Sequence, residues 1–121
     1  MRFFIVVLLF AIVFLAYAGA VRNYLWGQID PADDEIARDR VKKSSSFFKG
    51  SKATYVFKQK NITNAYTISA IKIYDLSKGK KEKGALAILQ YGGPGYINAT
   101  ILFESEKRHD INDEVVIYGY K

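Results

Sequence analysis

The residues with the most reactive chemistry are few. The single histidine, His109, sits in Glu106-Lys107-Arg108-His109-Asp110, beside carboxylates that could orient an imidazole or share a metal with it. One histidine in a chain without cysteine does not supply a usual structural zinc set, and no carboxylate spacing resembles a calcium loop. The plainer expectation for this segment is an exposed hairpin tip. Glu104 and Glu106, two apart on one strand face, have the form of an acid/base pair, but solvated alternation explains them equally well. Gly92-Gly93-Pro94-Gly95 lacks the spacing and the lysine of a phosphate loop, and a strand follows it, so it is expected to be a tight turn with positive φ angles. Ser44-Ser45-Ser46 has no nucleophile elbow around it. These residues give catalysis no support, and no catalytic residue, cofactor or metal site is expected.

Binding and modification signals are stronger. Asn61-Ile62-Thr63 and Asn98-Ala99-Thr100 both match the N-glycosylation acceptor pattern, with Asn61 in a segment of turn composition and Asn98 on the polar side of a predicted strand. Lys78, Lys80, Lys81 and Lys83, opposed only by Glu82, form one basic loop. Lys42, Lys43, Lys49, Lys52, Lys58 and Lys60 add a second lysine-rich region. If such charges gather on one face they attract anionic polymers, although solvated loops have the same composition. The partner expected is a protein or an anionic extracellular ligand, with nucleic acid disfavoured.

The elements that must position these residues follow from charge and periodicity. The chain has 121 residues and a net charge of +6, which is room for one domain. Met1-Arg2, the uncharged apolar run Phe3 to Ala16 and the small residues through Ala20 have the order of a secretory signal peptide. Cleavage is expected after Ala18 or Ala20, which gives a leader over 1–20 and a single moderately basic domain over 21–121. The run is shorter than the length of about 20 residues that a membrane-spanning helix needs.

Within the domain, Asp30-Pro31 with Asp33, Asp34 and Glu35 has the grammar of a helix start, but no apolar stripe follows, so at most a short turn is expected. Strand grammar begins near Arg38. Thr54 to Phe57 and Tyr66 to Tyr74 are rich in β-branched and aromatic residues, and the turn-like Lys60 to Asn64 between them suggests a hairpin. Ala85 to Tyr91 is a further apolar run. Ile97, Ala99, Ile101 and Phe103 share one face of the next strand, and Glu114 to Tyr118 is the last. The expected core is Tyr55, Phe57, Tyr66, Ile71, Ile73, Tyr74, Leu89, Ile101, Phe103, Val115 and Ile117. Six or seven short strands without long helical periods predict an all-β domain, a small antiparallel sandwich or barrel.

The half from Ile68 to Tyr118 resembles the insect multiprotein bridging factor 2 family. The resemblance rests on Ile68-Ser69-Ala70-Ile71, the Gly92-Gly93-Pro94-Gly95-Tyr96 turn, Thr100 with Phe103 and Ser105, Ile111-Asn112, and Ile117-Tyr118-Gly119, with Arg38-Asp39-Arg40 as a weaker echo upstream. It departs near Arg108, Asp110 and Asp113, where the family usually has glycines and an apolar residue. The resemblance implies a compact β fold and an insect source, and it assigns no catalytic or ligand residue. Its name implies a transcriptional coactivator that bridges a nuclear receptor and the basal machinery, although many members have a secretory leader. With the leader pattern, it leads to the expectation of a secreted, non-enzymatic binding protein of extracellular fluid, with the coactivator role as the alternative.

Overall fold

Seven β-strands and no helix make up the described residues, 22–77 and 84–121, of the computed structural model. They are β1 (Tyr24–Gly27), β2 (Asp34–Lys43), β3 (Lys52–Phe57), β4 (Thr67–Asp75), β5 (Leu86–Gly92), β6 (Ala99–Glu104) and β7 (Ile111–Tyr120). Every pairing is antiparallel. One sheet has the order β1-β4-β7-β2 and the other β3-β6-β5. The domain is therefore all-β and built of two sheets, as the sequence implies. The expected leader, with Ala18 and Ala20, lies outside the described residues, and so does the basic loop of Lys78, Lys80, Lys81 and Lys83.

The core forms where the inward sides of the two sheets meet. Ile71, Ile73, Val115, Ile117 and Ile111 come from the four-stranded sheet, and Ala99, Ile101, Phe103 and Ala87 from the three-stranded one. Period-2 alternation puts these residues on one side, with polar residues between them. Phe103 is the largest fully buried side chain. Tyr24 and Trp26 cover one flank with rings stacked 5.8 Å apart, and Tyr55, Phe57 and Leu89 are half-buried against the cluster. Tyr66 and Tyr74 stand apart from it: Tyr74 lies opposite Glu114 on the outward side, and the Tyr66 ring lies under Lys121.

The connections differ from the expected ones. β3 and β4 do not form a hairpin, because β3 pairs with β6 and β4 pairs with β1 and β7. Residues 58–66 instead pass from one sheet to the other, and the Gln59 amide secures the crossing. Its Nε2 donates to the carbonyls of Tyr66 and Ile97, each at 2.8 Å, and its Oε1 accepts from Tyr66 N at 2.8 Å. β4 and β5, the strands on either side of residues 78–83, also belong to different sheets and do not form a hairpin. The same holds for the segment around His109, which joins β6 to β7 across the sheets and leaves His109 half-buried.

The acid-rich segment near Pro31 starts a strand rather than a helix. Asp33 N donates to Asp30 O at 2.9 Å, Asp30 N to Asp33 Oδ2 at 2.8 Å, and Ala32 N to Asp30 Oδ1 at 2.9 Å. The cap and the proline thus close one turn, as expected in the absence of an apolar stripe. β2 then begins at Asp34, four residues before the expected boundary, and β7 extends beyond Glu114 to Tyr118 at both ends. β5 and β6 form the one hairpin of consecutive strands among the described residues.

Candidate interaction surface

The outward side of the three-stranded sheet follows directly from its register. With Ala53, Tyr55, Phe57, Ala99, Ile101, Phe103, Ala87 and Leu89 directed to the core, the alternate residues must face out. They form three rows: Lys52–Glu104–Leu86, Thr54–Leu102–Ile88 and Val56–Thr100–Tyr91. A register shift between Leu89 and Tyr91 absorbs Gln90, and this returns Tyr91 to the outward side. Val56 is 50%, Ile88 40% and Tyr91 73% exposed. Solvent therefore meets valine, leucine, isoleucine and tyrosine side by side, with one ion pair, Lys52 to Glu104 at 3.6 Å, at the margin. Contiguous exposed apolar side chains are a common mark of contact surfaces, which makes this face the candidate.

The turn that closes this sheet's hairpin is fixed by internal bonds. Gly92, Gly93 and Gly95 all have positive φ, as expected of the Gly-Gly-Pro-Gly run. Gly93 N donates to Asn98 O at 2.8 Å and Tyr96 N to Gly93 O at 2.9 Å. Gly95 N donates to Ile68 O and Ile68 N to Tyr96 O, each at 2.8 Å, which staples the turn to the start of β4 in the other sheet. These N–H groups already have acceptors, which agrees with a structural turn and not an anion cradle.

The remaining sequence candidates are dispersed. Asn61 and Asn98 are both exposed, and Asn98 stands just ahead of β6. Asn61 Oδ1 accepts from Thr63 N at 3.2 Å and Thr63 Oγ1 at 2.7 Å, a local turn between sequon residues. Lys43, Lys49 and Lys52 line one groove with Glu104, whereas Lys58 and Lys60 follow the other end of β3, so this lysine region does not gather on one face. Glu104 and Glu106 do line a common groove with Arg22 and Leu86, but β6 ends at Glu104, so they do not share a strand face, and Glu104 is the partner of Lys52. No group of three or more potential metal-ligating acids and histidines occurs among the described residues.

Sequence reasoning marked Asp113 only as a departure from the family pattern and gave it no role. It occupies an inward position of β7, opposite Asp75 of β4 and Val41 of β2, and is fully buried. Neither carboxylate oxygen has a hydrogen-bond partner among the described residues. Burial first, and then the charge of Asp75, pushes its pKa up to about 7. Asp75 itself accepts from Ser77 N at 2.9 Å and Arg22 N at 3.3 Å. The signal in the sequence was that Asp113 is one of the positions near which the chain departs from the resembling family. Arg108, another departure from the family pattern, is the one non-glycine residue with positive φ among the described residues, at 69°. Its guanidinium lies 3.8 Å from the centre of the Phe47 ring.

A family model described as transcription activator MBF2 matches residues 26–119, from the middle of β1 to the penultimate residue of β7. No curated protein matches the chain.

Proposed function

The chain belongs to the transcription activator MBF2 family, and from that premise we propose that it is a non-enzymatic interaction protein that is exported and engages a protein partner through the outward side of the three-stranded sheet. The observation that carries this reading is the pair of rows Thr54–Leu102–Ile88 and Val56–Thr100–Tyr91, in which apolar side chains stand exposed without a charge among them. Export is supported by the order Arg2, Phe3 to Ala16 and Ala16-Tyr17-Ala18-Gly19-Ala20 at the start of the chain. Glycosylation at Asn61 and at Asn98 is part of the same proposal, since both asparagines are exposed and an exported chain passes the compartment where the transfer occurs.

The family description favours a second reading, a coactivator that bridges transcription proteins by the same apolar face. The two separate by location. Expression of the full chain in secretory eukaryotic cells should give medium protein that starts at Gly19 or Val21 and loses mass on glycosidase treatment. A soluble nuclear product with Met1 intact overturns export. A photo-crosslinking residue at Tyr91 should capture a partner where the protein is found, and the same residue at Tyr74, on the outward side of the other sheet, should not. Equal capture from both removes the face from the proposal.

A further inference from the structure

Each sheet of an open sandwich ends in two edge strands whose outer N–H and C=O groups must be shielded from strands of other molecules. Three of the four edges here are managed. β2 carries Asp34, Glu35, Arg38, Asp39, Arg40, Lys42 and Lys43, and a register shift between Glu35 and Ala37 breaks its regularity. β3 is tied to β2 by the Tyr55 hydroxyl, which donates to Asp39, and by Lys43 Nζ, which donates to Lys52 O at 2.7 Å. β1 is four residues long. The fourth edge, β5, has none of these devices over its first half. From Leu86 to Leu89 it holds regular register with β6, and Leu86-Ala87-Ile88-Leu89-Gln90-Tyr91-Gly92 contains no charge and no proline. Among the described residues no turn or loop backbone bond reaches Leu86 to Tyr91.

We propose that β5 pairs with β5 of a second copy of the chain, antiparallel about a two-fold axis, to join the two three-stranded sheets into one of six strands. The occupant follows from charge and symmetry. A chain with net charge +6 repels its own copies over most of its surface, and a two-fold contact places a patch against itself. β5 is the longest charge-free strand, so it can meet itself without setting like charges opposite each other. An axis normal to the sheet pairs residues of like face. Leu86 and Ile88 of one copy then neighbour Leu86 and Ile88 of the other, and the apolar rows run on across the joint. The partner face proposed above does not depend on this pairing, because edge pairing leaves that face open.

The test is sedimentation and light scattering of the processed chain at concentrations up to about 100 μM, at which a micromolar Kd leaves most chains dimeric. The expected result is a concentration-dependent dimer. Ile88→Lys, which puts a charge on the edge at an exposed site, should weaken it by about tenfold or more while circular dichroism stays unchanged. Val56→Lys, on the same face but on β3 at the far margin, should leave it intact. Hydrogen exchange at β5 amides should slow as concentration rises. A chain that is monomeric throughout this range overturns the proposal. So does loss of the dimer in Val56→Lys, which would assign the contact to the sheet face, or a dimer that Ile88→Lys does not weaken.

Discussion

On the outward side of the four-stranded sheet, Val116 stands in register between Arg38 of β2 and Lys72 of β4, and it is fully buried. On the three-stranded sheet the equivalent central residue, Leu102, stands between Thr54 and Ile88. Both sheets are antiparallel ladders with an apolar residue at the centre of the outer side, but only one is roofed. Arg38 donates to Glu114 at 2.6 Å and to Glu35 at 2.5 Å, and the Lys72 ammonium lies 5.8 Å from the Tyr74 ring centre. Long charged side chains thus lay their stems over the valine and keep their ends in water. The Arg38 hydrogen bond holds Glu35 below the usual carboxylate range. Threonine and isoleucine offer no such roof, so the centre of this outer side stays more open, whereas the exposed apolar residues of the four-stranded sheet, Leu25 and Tyr120, stand on its edge strand β1 and at the end of β7.

The inner sides differ in the opposite sense, and the largest expected effect tests this. The three-stranded sheet buries no charged group against the core, whereas the four-stranded sheet buries Asp113. Its folded pKa is about 7, against an ordinary value of 3.8. As pH rises from about 4, the unfolded chain releases this proton first and the folded chain retains it, so stability falls until about pH 7 and then levels off. Relative to Asp113→Asn, the protein should lose on the order of 2 to 3 kcal/mol between pH 5 and pH 8 in urea titrations. An identical pH slope for the two proteins would show that the carboxyl does not carry this cost. The absolute stability of the variant is not the readout, since a buried amide brings a pH-independent cost of its own.

Matched truncations sharpen the comparison of the outer sides. Val116→Ala removes methyl groups from a closed site and should cost about 2 kcal/mol, the transfer loss plus a residual cavity. Ile88→Ala removes more carbon from an open site and should cost under about 1 kcal/mol. Equal costs, measured by chemical denaturation of monomeric protein, would mean that Val116 is not roofed or that Ile88 is.

The same contrast governs what could be read in the sequence. Ala99, Ile101 and Phe103 alternate cleanly because β6 is the central strand of a sheet with one buried side, and the Gly92 to Gly95 turn was legible because positive φ selects glycine. β2 is a charged edge with a register shift, so its few apolar residues, Ile36, Ala37 and Val41, lose period 2 and its first two residues, Asp34 and Glu35, read as part of a helix start. β1 is too short to have a period. The hairpin between β3 and β4 was misread because sequence neighbours need not pair: local composition marks where strands stop, and the partner of β3 lies more than forty residues on. The apolar outer rows were hidden because an exposed isoleucine and a buried one have the same letter. Asp113 was hidden because alternation was read only from apolar residues.

The two sheets also differ in how they meet positive φ, and the smallest effects lie there. In the hairpin of the three-stranded sheet, Gly95 has a φ of 91° and nothing within 4 Å of where a Cβ would stand. Gly95→Ala should then cost about 1 kcal/mol from backbone conformation alone. On the way to β7, Arg108 adopts the same kind of conformation without glycine. Arg108→Gly should relieve a similar backbone cost, but it also frees the unfolded chain and removes the guanidinium from the Phe47 ring. These terms nearly cancel, so the single variant should differ from the parent by less than about 0.5 kcal/mol. With Phe47→Ala as background the ring contact is already gone, and Arg108→Gly should stabilise by about 0.5 kcal/mol. Urea midpoints of the four proteins in this cycle give the coupling directly. A loss of stability in the alanine background would mean that the arginine has another partner, and that its positive φ is held by that contact and not tolerated against it.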